Sequence, residues 1–179
     1  MPFAPTGGPI AYLNPLHAVE MSKSDIKDLR VWQVQAAKRA KLAGFDIVYV
    51  YAGHAYLPFQ FITPRFNQRP DEKWWIPAQS SPPLLGKRSR KKKEAVGDRC
   101  AVAVRFAVHE FQVDGGISSD GEGREVIEML ADLRISGTLT SVGYRSDSGS
   151  SRFFAEGSQE QYTEFVKSVT NKPVVGVGR

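Results

Sequence analysis

Three short, almost entirely apolar segments constrain the fold of this chain more than any other feature. Residues 45–51 are FDIVYVY, residues 100–106 are CAVAVRF and residues 173–178 are PVVGVG. The first two are rich in β-branched or aromatic residues, and the third in valine, as is typical of strands that are buried on both faces. A weaker candidate strand lies near 138–142. We therefore expect a sheet whose strands lie inside the protein.

Helical patterns lie between these strands. Residues 24–43 carry apolar side chains at helical spacing, with Ser24 as the predicted N-cap and Gly44 as the predicted stop. Further helices are predicted at 122–133 and 159–170. Strands that alternate with helices predict an α/β protein with a parallel sheet, either a barrel or a doubly wound sheet. No GxGxxG motif follows a strand and no GxxxxGK[ST] motif occurs, so neither fingerprint favours the doubly wound form.

Two stretches depart from this rhythm. Residues 1–21 are rich in proline and glycine without a clear period, and are predicted to be loop. A crossover helix is needed between the first two strands, because parallel neighbours require one. The segment available, 72–98, contains Pro77, Pro82 and Pro83, and a proline inside a helix costs roughly 3 kcal/mol. The sequence of this segment conflicts with the architecture that its neighbours demand.

Positive charge is concentrated in the second of these stretches. The chain of 179 residues has a formal net charge of +5, and six basic residues lie between Lys87 and Lys93. The rest of the chain is close to neutral, so any case for a nucleic-acid partner depends on this run alone. No apolar segment is long enough to span a membrane, and the N-terminus lacks the pattern of a secretory signal. With Cys100 as the single cysteine, a cytoplasmic protein without a disulfide framework is expected.

Polar side chains stand at or just past the predicted strand ends, where the reactive groups of a parallel barrel lie. The first strand ends at Tyr51 and leads to His54, and the second carries Arg105 near its end. Taken singly, each of these residues also fits an ordinary structural role. Together, a phenol, an imidazole and a guanidinium would converge on one pocket. The later strands add four candidates, of which the last two suit a phosphate: Tyr144, Asp147, Gly178 and Arg179.

Residues 43–71, AGFDIVYVYAGHAYLPFQFITPRFNQRPD, resemble the flavin-dependent family that includes old yellow enzyme and trimethylamine dehydrogenase. Further matches occur in the family's order at 97–106, 146–153 and 172–179. The resemblance covers nearly the whole chain after residue 16, apart from two interruptions. The residues of the first stretch that carry the family pattern are His54, Gln60, Phe61, Pro64, Asn67, Arg69 and Asp71.

The resemblance implies a partial (β/α)8 TIM barrel, to which this chain supplies about strands 4 to 7. Residues 1–179 would then form a partial FMN-binding domain. The first three strands, the eighth strand and the cysteine cluster that holds a 4Fe-4S centre in the amine dehydrogenases have no counterpart here. We therefore expect the chain alone to bind FMN poorly and to lack turnover.

The subgroup that the chain resembles comprises the amine dehydrogenases that act on trimethylamine, dimethylamine or histamine. Tyr51 stands where alkene reductases of the family usually carry histidine. The resemblance implies hydride transfer from a small-molecule amine to FMN, in an enzyme of a kind that is often homo-oligomeric. Tyr51 and His54 would orient the substrate and steer its protonation, and Asp147 would fix the imidazole.

The same resemblance assigns residues to the cofactor. Arg105 would lie near the pyrimidine edge of the flavin and stabilise negative charge on the reduced ring. Gly178 and Arg179 would contact the FMN phosphate. Tyr144 stands where these enzymes often carry tryptophan, as part of an aromatic cage for a cationic amine.

The two interruptions fit out-of-frame translation. Residues 74–76, Trp-Trp-Ile, stand where the family has Gly-Gly-Ser, and TGG TGG ATC CCT read from its second base encodes Gly-Gly-Ser. Shifted codons in the second interruption likewise restore a barrel strand. Our hypothesis is that 72–93 and 134–143 are frame-shifted segments, and the nucleotide sequence tests it.

Two alternatives remain open at this point. The first is an old yellow enzyme-type alkene reductase of the same family. The second is a nucleic-acid-binding protein that acts through Lys87–Lys93. Bound flavin would favour the family, whereas a steeply salt-dependent affinity for DNA or RNA would favour the second alternative. No aromatic-interleaved sheet or recognition motif accompanies the basic run, which makes nucleic acid the weaker candidate partner.

Overall fold

The computed structural model of the protein describes residues 2–9, 16–71, 93–111, 116–132, 137–142 and 155–176. Three short strands come first: β1 (Phe3–Ala4), β2 (Gly8–Pro9) and β3 (His17–Glu20). Strands and helices then alternate, which confirms the α/β class: α1 (Lys23–Leu42), β4 (Ile47–Ala52), α2 (Leu57–Gln60), a 3₁₀ turn (Gly97–Arg99), β5 (Ala101–His109), α3 (Glu122–Asp132), β6 (Gly137–Val142), α4 (Glu160–Thr163), α5 (Val166–Val169) and β7 (Val174–Gly176).

The main sheet consists of β4, β5, β6 and β7, which are all parallel and follow one another in that order. One row across the sheet joins Tyr51, Arg105, Leu139 and Val175. Parallel strands that keep their chain order form the wall of a barrel, whereas a doubly wound sheet reverses its order at a switch point. The sheet therefore favours a partial barrel.

The helices cover one face of this sheet. Alternate side chains of β4 and β5 are buried there with residues of α1, α3 and α5: Ala37, Val48, Val50, Ala52, Val102, Val104, Phe106, Val108, Val126, Ile127, Leu130 and Val166. On the other face of β4, Ile47 is 45% exposed and Tyr49 is 47% exposed. The prediction that residues 45–51 are buried on both faces is therefore wrong, because the described helices pack on one face of β4 and leave Ile47 and Tyr49 on the other face uncovered.

Helix α1 begins one residue before the predicted start. Its N-cap is Ser22 and not Ser24. The Ser22 hydroxyl oxygen accepts from the Asp25 backbone N–H at 3.1 Å, and the Asp25 carboxylate accepts from the Ser22 backbone N–H at 2.8 Å. This reciprocal pair is a capping box, which satisfies two donors at the helix start. Beyond the helix, Gly44 adopts φ +85°, which suits a glycine after the last turn.

The predicted helix over 159–170 is divided into α4 and α5. Glu164 and Phe165 between them keep right-handed helical dihedral angles. Their carbonyls accept i+3 hydrogen bonds from Lys167 and Ser168 in place of the i+4 bonds of an α-helix. The break is thus a local tightening of the helix and not a change of direction.

The prediction that residues 1–21 are loop is wrong for the part that the structure describes. Strand β3 pairs in parallel with β1 and antiparallel with β2, which gives a small second sheet. Arg69, only 5% exposed, holds this sheet to the rest of the chain. Its guanidinium donates to the Pro5 and Met21 carbonyls and to the Glu20 carboxylate, and pairs with both oxygens of Asp71 at 3.1 and 2.8 Å.

Of the two segments predicted to be frame-shifted, 72–93 and 134–143, the structure describes a strand in the second and only the last residue of the first. Strand β6 lies within the second segment, where the weaker strand was predicted, and joins β5 to β7. Residues 72–92 of the first segment lie outside the described residues, as does most of the basic run. Lys93 is described and donates to the Gly97 carbonyl at 2.9 Å. The origin of both segments stays a hypothesis about the gene.

Candidate active site

Tyr51 and His54 meet at the carboxyl end of β4. The strand ends at Ala52, and the backbone then turns sharply. The turn brings the Tyr51 hydroxyl oxygen to 2.7 Å from His54 Nδ1. The ring of Tyr56 packs edge-on against Tyr51, with the ring centroids 4.9 Å apart. The predicted phenol and imidazole are thus hydrogen-bonded to each other.

The turn that carries His54 is strained. His54 has φ +49° and Ala55 has φ +56°, in the left-handed region that residues other than glycine rarely adopt. Each such residue costs on the order of 1–3 kcal/mol, and the surrounding structure must hold it in place. One restraint is visible within the turn, where the Gln60 side-chain amide donates to the Ala55 carbonyl at 2.7 Å. Strain of this kind is typical of functional sites.

Arg105 lies beside this pair. Its backbone is opposite Tyr51 in the register between β4 and β5, and its guanidinium carbon lies 4.8 Å from the centre of the Tyr51 ring. The Arg105 Nε is buried and has no hydrogen-bond partner within the described part of the chain. A buried, unpartnered guanidinium nitrogen is costly, and it is a donor that an acceptor atom of a ligand can satisfy.

The pKa of His54 is lowered. Burial of the imidazole is the larger cause, and the positive charge of Arg105 is the second. Both disfavour the imidazolium form, so His54 is neutral at neutral pH. When the Tyr51 hydroxyl donates to Nδ1, the imidazole carries its proton on Nε2. The neutral imidazole of His54, hydrogen-bonded to the Tyr51 hydroxyl, can therefore take up a proton.

A cleft of about 800 Å³ opens on one side of His54. The small N-terminal sheet forms one wall and the segment from His54 to Gln68 forms the other. The side chains along it are mainly apolar or uncharged, with one arginine: Pro2, Phe3, Thr6, Pro9, His54, Tyr56, Gln60, Arg65, Phe66 and Gln68. A small organic molecule fits such a cleft in size and polarity.

The structure brings together Tyr51, His54 and Arg105 among the predicted site residues. The other four, Tyr144, Asp147, Gly178 and Arg179, lie outside the described residues. Cys100 is buried in the core. Within the described ranges, no group of three or more His, Cys, Asp or Glu side chains is arranged to hold a metal ion. No helix in the same ranges is both long and apolar enough to cross a membrane.

The sequence analysis missed one buried acid. Glu110, 4% exposed, follows β5 directly and accepts from the Thr63 hydroxyl at 2.9 Å and from the Ile117 backbone N–H at 3.3 Å. It was missed because β5 was predicted to end at Phe106, whereas the strand runs to His109. A carboxylate placed directly after an apolar run, at a strand end, was the available signal.

Comparison with known proteins identifies the family. Residues 5–179 match the NADH:flavin oxidoreductase / NADH oxidase family. Dimethylamine dehydrogenase from Hyphomicrobium sp. (strain x) is 32% identical over an alignment 175 positions long, which covers 89% of this chain and 22% of that protein. This match confirms the resemblance found in the sequence.

Solved structures agree with this match. The 6-hydroxypseudooxynicotine amine oxidase from Pseudomonas geniculata N1 has a TM-score of 0.89 at 46% identity, covering 99% of this chain and 27% of the solved chain. Histamine dehydrogenase from Rhizobium sp. 4-9 has a TM-score of 0.87 at 39% identity, covering 99% of this chain and 26% of the solved chain. This chain thus spans about a quarter of the length of these three relatives. Because the family match extends over nearly all of its residues, the chain belongs to the NADH:flavin oxidoreductase / NADH oxidase family.

Proposed function

We propose that this chain is part of an FMN-dependent oxidoreductase that oxidises a small amine by hydride transfer to the flavin. The observation that carries the proposal is the hydrogen-bonded pair of Tyr51 and His54 beside Arg105, at the carboxyl end of parallel strands. The names of three relatives specify amine dehydrogenases or an amine oxidase. They support an amine substrate over the alkene substrate of the alternative hypothesis.

Arg105 fits a flavin. Its buried Nε lacks a partner within the described ranges, and the pyrimidine edge of a flavin offers acceptor atoms that carry negative charge in the reduced state. Gly178 and Arg179 are proposed to hold the phosphate, on the strength of the resemblance. Bound FMN would supply the redox chemistry by accepting the hydride.

The residues of the chain would manage the proton of the amine. An ammonium group has no lone pair to support hydride loss, so the substrate must react as the neutral amine. The lowered pKa of His54 keeps the imidazole neutral and able to accept a proton. The Tyr51 oxygen can take a proton from the substrate nitrogen while its own proton passes to His54 Nδ1, 2.7 Å away. Asp147 is proposed to orient the imidazole, and Tyr144 to contact the amine.

The finer placement of the chain in a barrel is also a proposal. Four consecutive parallel strands, β4 to β7, support their assignment to about the fourth to seventh strands of an eight-stranded barrel. The exposed Ile47 and Tyr49 support it too, because they lie on the sheet face that a closed barrel would bury. A cytoplasmic location remains a prediction from the single cysteine.

A chimera tests the function. This chain replaces the region of dimethylamine dehydrogenase with which it aligns, 22% of that protein, and flavin reduction by a panel of amines is measured without oxygen. We expect reduction by at least one amine, with a loss of at least about tenfold for Tyr51→Phe or His54→Gln, because each change breaks the proton route. A chimera that retains FMN but is reduced by no amine contradicts the proposal.

A further inference from the structure

We propose that Glu110 is a positioning residue that holds the segment bearing His54 against β5, and so keeps His54 in place beside Tyr51 and Arg105. The catalytic meaning of this inference rests on the proposed function. The structural claim does not, because it concerns the position of one imidazole. The Glu110 carboxyl touches neither Tyr51 nor His54 in the described contacts, so it would act through Thr63.

The need for a restraint follows from the course of the chain. Up to Ala52 the hydrogen bonds of the sheet hold β4 against β5, in a register that sets Tyr51 beside Arg105. Beyond Ala52 the chain leaves the sheet, passes through the strained turn at His54 and Ala55, and continues into α2. A strained turn keeps its shape when contacts on its far side fix it. Contacts after α2 are therefore expected to set the position of His54.

Glu110 supplies such a contact from β5. The Thr63 hydroxyl donates to Glu110 Oε2 at 2.9 Å, and both residues are buried. The same oxygen accepts from the Ile117 backbone N–H at 3.3 Å, while the Glu110 backbone N–H donates to the Ile117 carbonyl at 2.9 Å. Ile117 belongs to the main core, so the carboxyl is anchored on one side and reaches Thr63 on the other.

An apolar contact also holds α2 against β5. The ring centroids of Phe59 in α2 and Phe106 in β5 lie 6.2 Å apart, and both residues are fully buried. Apolar packing of this kind tolerates small sliding movements, whereas a hydrogen bond to a buried carboxyl fixes a direction. Glu110 and Thr63 therefore supply the geometric restraint, and the phenylalanine pair supplies the burial.

The cost of burying this carboxyl also indicates a specific role. Burial raises the pKa of Glu110, against the hydrogen bonds from Thr63 and Ile117 and the charge of Arg65, which lower it. An apolar side chain of similar volume would fill the space without this desolvation cost. The chain instead places there a group that can accept two hydrogen bonds from two different loops.

The test reads the position of His54 in the full chain, without cofactor or substrate. Nuclear magnetic resonance follows the titration of the three histidine rings, which are assigned with His17→Gln and His109→Gln variants. Glu110→Gln keeps an oxygen that accepts both hydrogen bonds, and Thr63→Ser keeps the hydroxyl. Both variants are expected to leave the His54 titration unchanged. Thr63→Val and Glu110→Ala remove the link and are expected to shift the pKa of His54 upward, as the ring becomes more hydrated.

Val166→Ala is the matched control, because it opens a cavity in the main core at α5, away from the link. It is expected to lower stability without moving the His54 titration. If the pKa of His54 in Thr63→Val and in Glu110→Ala equals that in the unchanged chain, the inference is overturned. If Glu110→Ala does not fold, Thr63→Val decides the matter, since it preserves volume. The two proposals can fail separately. If these variants shift the pKa of His54 but the dimethylamine dehydrogenase chimera oxidises no amine, this inference stands and the proposed function is rejected.

Discussion

Arg69 and Arg105 are two poorly exposed arginines whose surroundings differ sharply. Arg69 donates to two carbonyls, to Glu20 and to both oxygens of Asp71. Arg105 stacks on the Tyr51 ring and leaves its buried Nε without a partner within the described residues. The described residues supply partners around the Arg69 guanidinium and none to Arg105 Nε.

The difference is the one expected between a structural arginine and the cofactor-binding group that we propose Arg105 to be. A buried charge that its own chain satisfies stabilises one arrangement of the fold, here the small sheet against the segment around Asp71. A buried donor that the chain leaves unpaired costs stability and is retained where a ligand completes it. Arg69 belongs to the family pattern in the sequence, and its contacts show that its role here is structural.

The largest expected effect is the loss of Arg69. Arg69→Met leaves Asp71 and two carbonyls without their donor, and breaking a buried pair of this kind costs about 3–5 kcal/mol. Urea unfolding measures the change in the free energy of unfolding. Arg99→Met, at an exposed position, is the control and should change it by less than about 0.5 kcal/mol. A cost below about 1 kcal/mol for Arg69→Met would show that the network does not hold the small sheet.

A smaller effect is expected when only the acid is neutralised. Asp71→Asn keeps the shape of the side chain but removes the charge from the two bonds with Arg69. Asp71 is 19% exposed, so solvent screens part of the interaction, and the expected cost is about 1–2 kcal/mol. The same unfolding measurement applies. A cost equal to that of Arg69→Met would mean that the pair, and not the two carbonyls, accounts for the whole network.

Arg105→Met should not destabilise the fold as the other two substitutions do, and it should change the titration of His54. Because Arg105 Nε has no partner among the described residues, stability should stay within about 1 kcal/mol of the unchanged chain or rise. The pKa of His54 should rise, since the charge of Arg105 is one of the two causes that lower it. Histidine resonances followed against pH measure this shift. A loss of stability as large as that of Arg69→Met would remove the distinction between the two arginines.

The same variant should change the dependence of stability on pH. The folded-state pKa of His54 lies below the unfolded value of about 6.5, so the unfolded chain binds the proton first as pH falls. Stability is therefore lost as pH falls from about 6.5 through the lowered pKa. Arg105→Met should reduce the contribution of His54 to this loss, and His54→Gln should remove it, which leaves the contribution of His109, whose pKa burial also lowers. An unchanged slope of unfolding free energy against pH in His54→Gln would show that another group causes the loss.

The sequence predicted the repeating part of the fold well. The apolar runs at 45–51 and 100–106 correspond to β4 and β5, because uniform β-branched segments leave few other structures open. The strands of residues 1–21 escaped prediction, since strands of two to four residues show no clear period, and distant contacts such as those of Arg69 hold them. The N-cap was misplaced because Ser22 and Ser24 both precede the helical pattern, and the choice between them depends on which one pairs with Asp25.

Three of the predicted site residues lie together in the structure, but their geometry was not predictable. The rule that strand ends carry chemistry selected Tyr51, His54 and Arg105, which the structure brings together. The positive φ of His54 was not predictable, because histidine carries no sign of a left-handed turn. Glu110 escaped because its importance lies in a partner 47 residues away in the chain, Thr63, which no local pattern reveals.

The reduction potential of the flavin in the dimethylamine dehydrogenase chimera tests the central claim most directly. If Arg105 is the unsatisfied cation that stabilises charge on the reduced ring, Arg105→Met should lower the potential by at least about 30 mV, equivalent to about 1.4 kcal/mol for two electrons. Arg99→Met should leave it unchanged. A chimera whose flavin keeps the same potential with and without the Arg105 side chain would contradict the account.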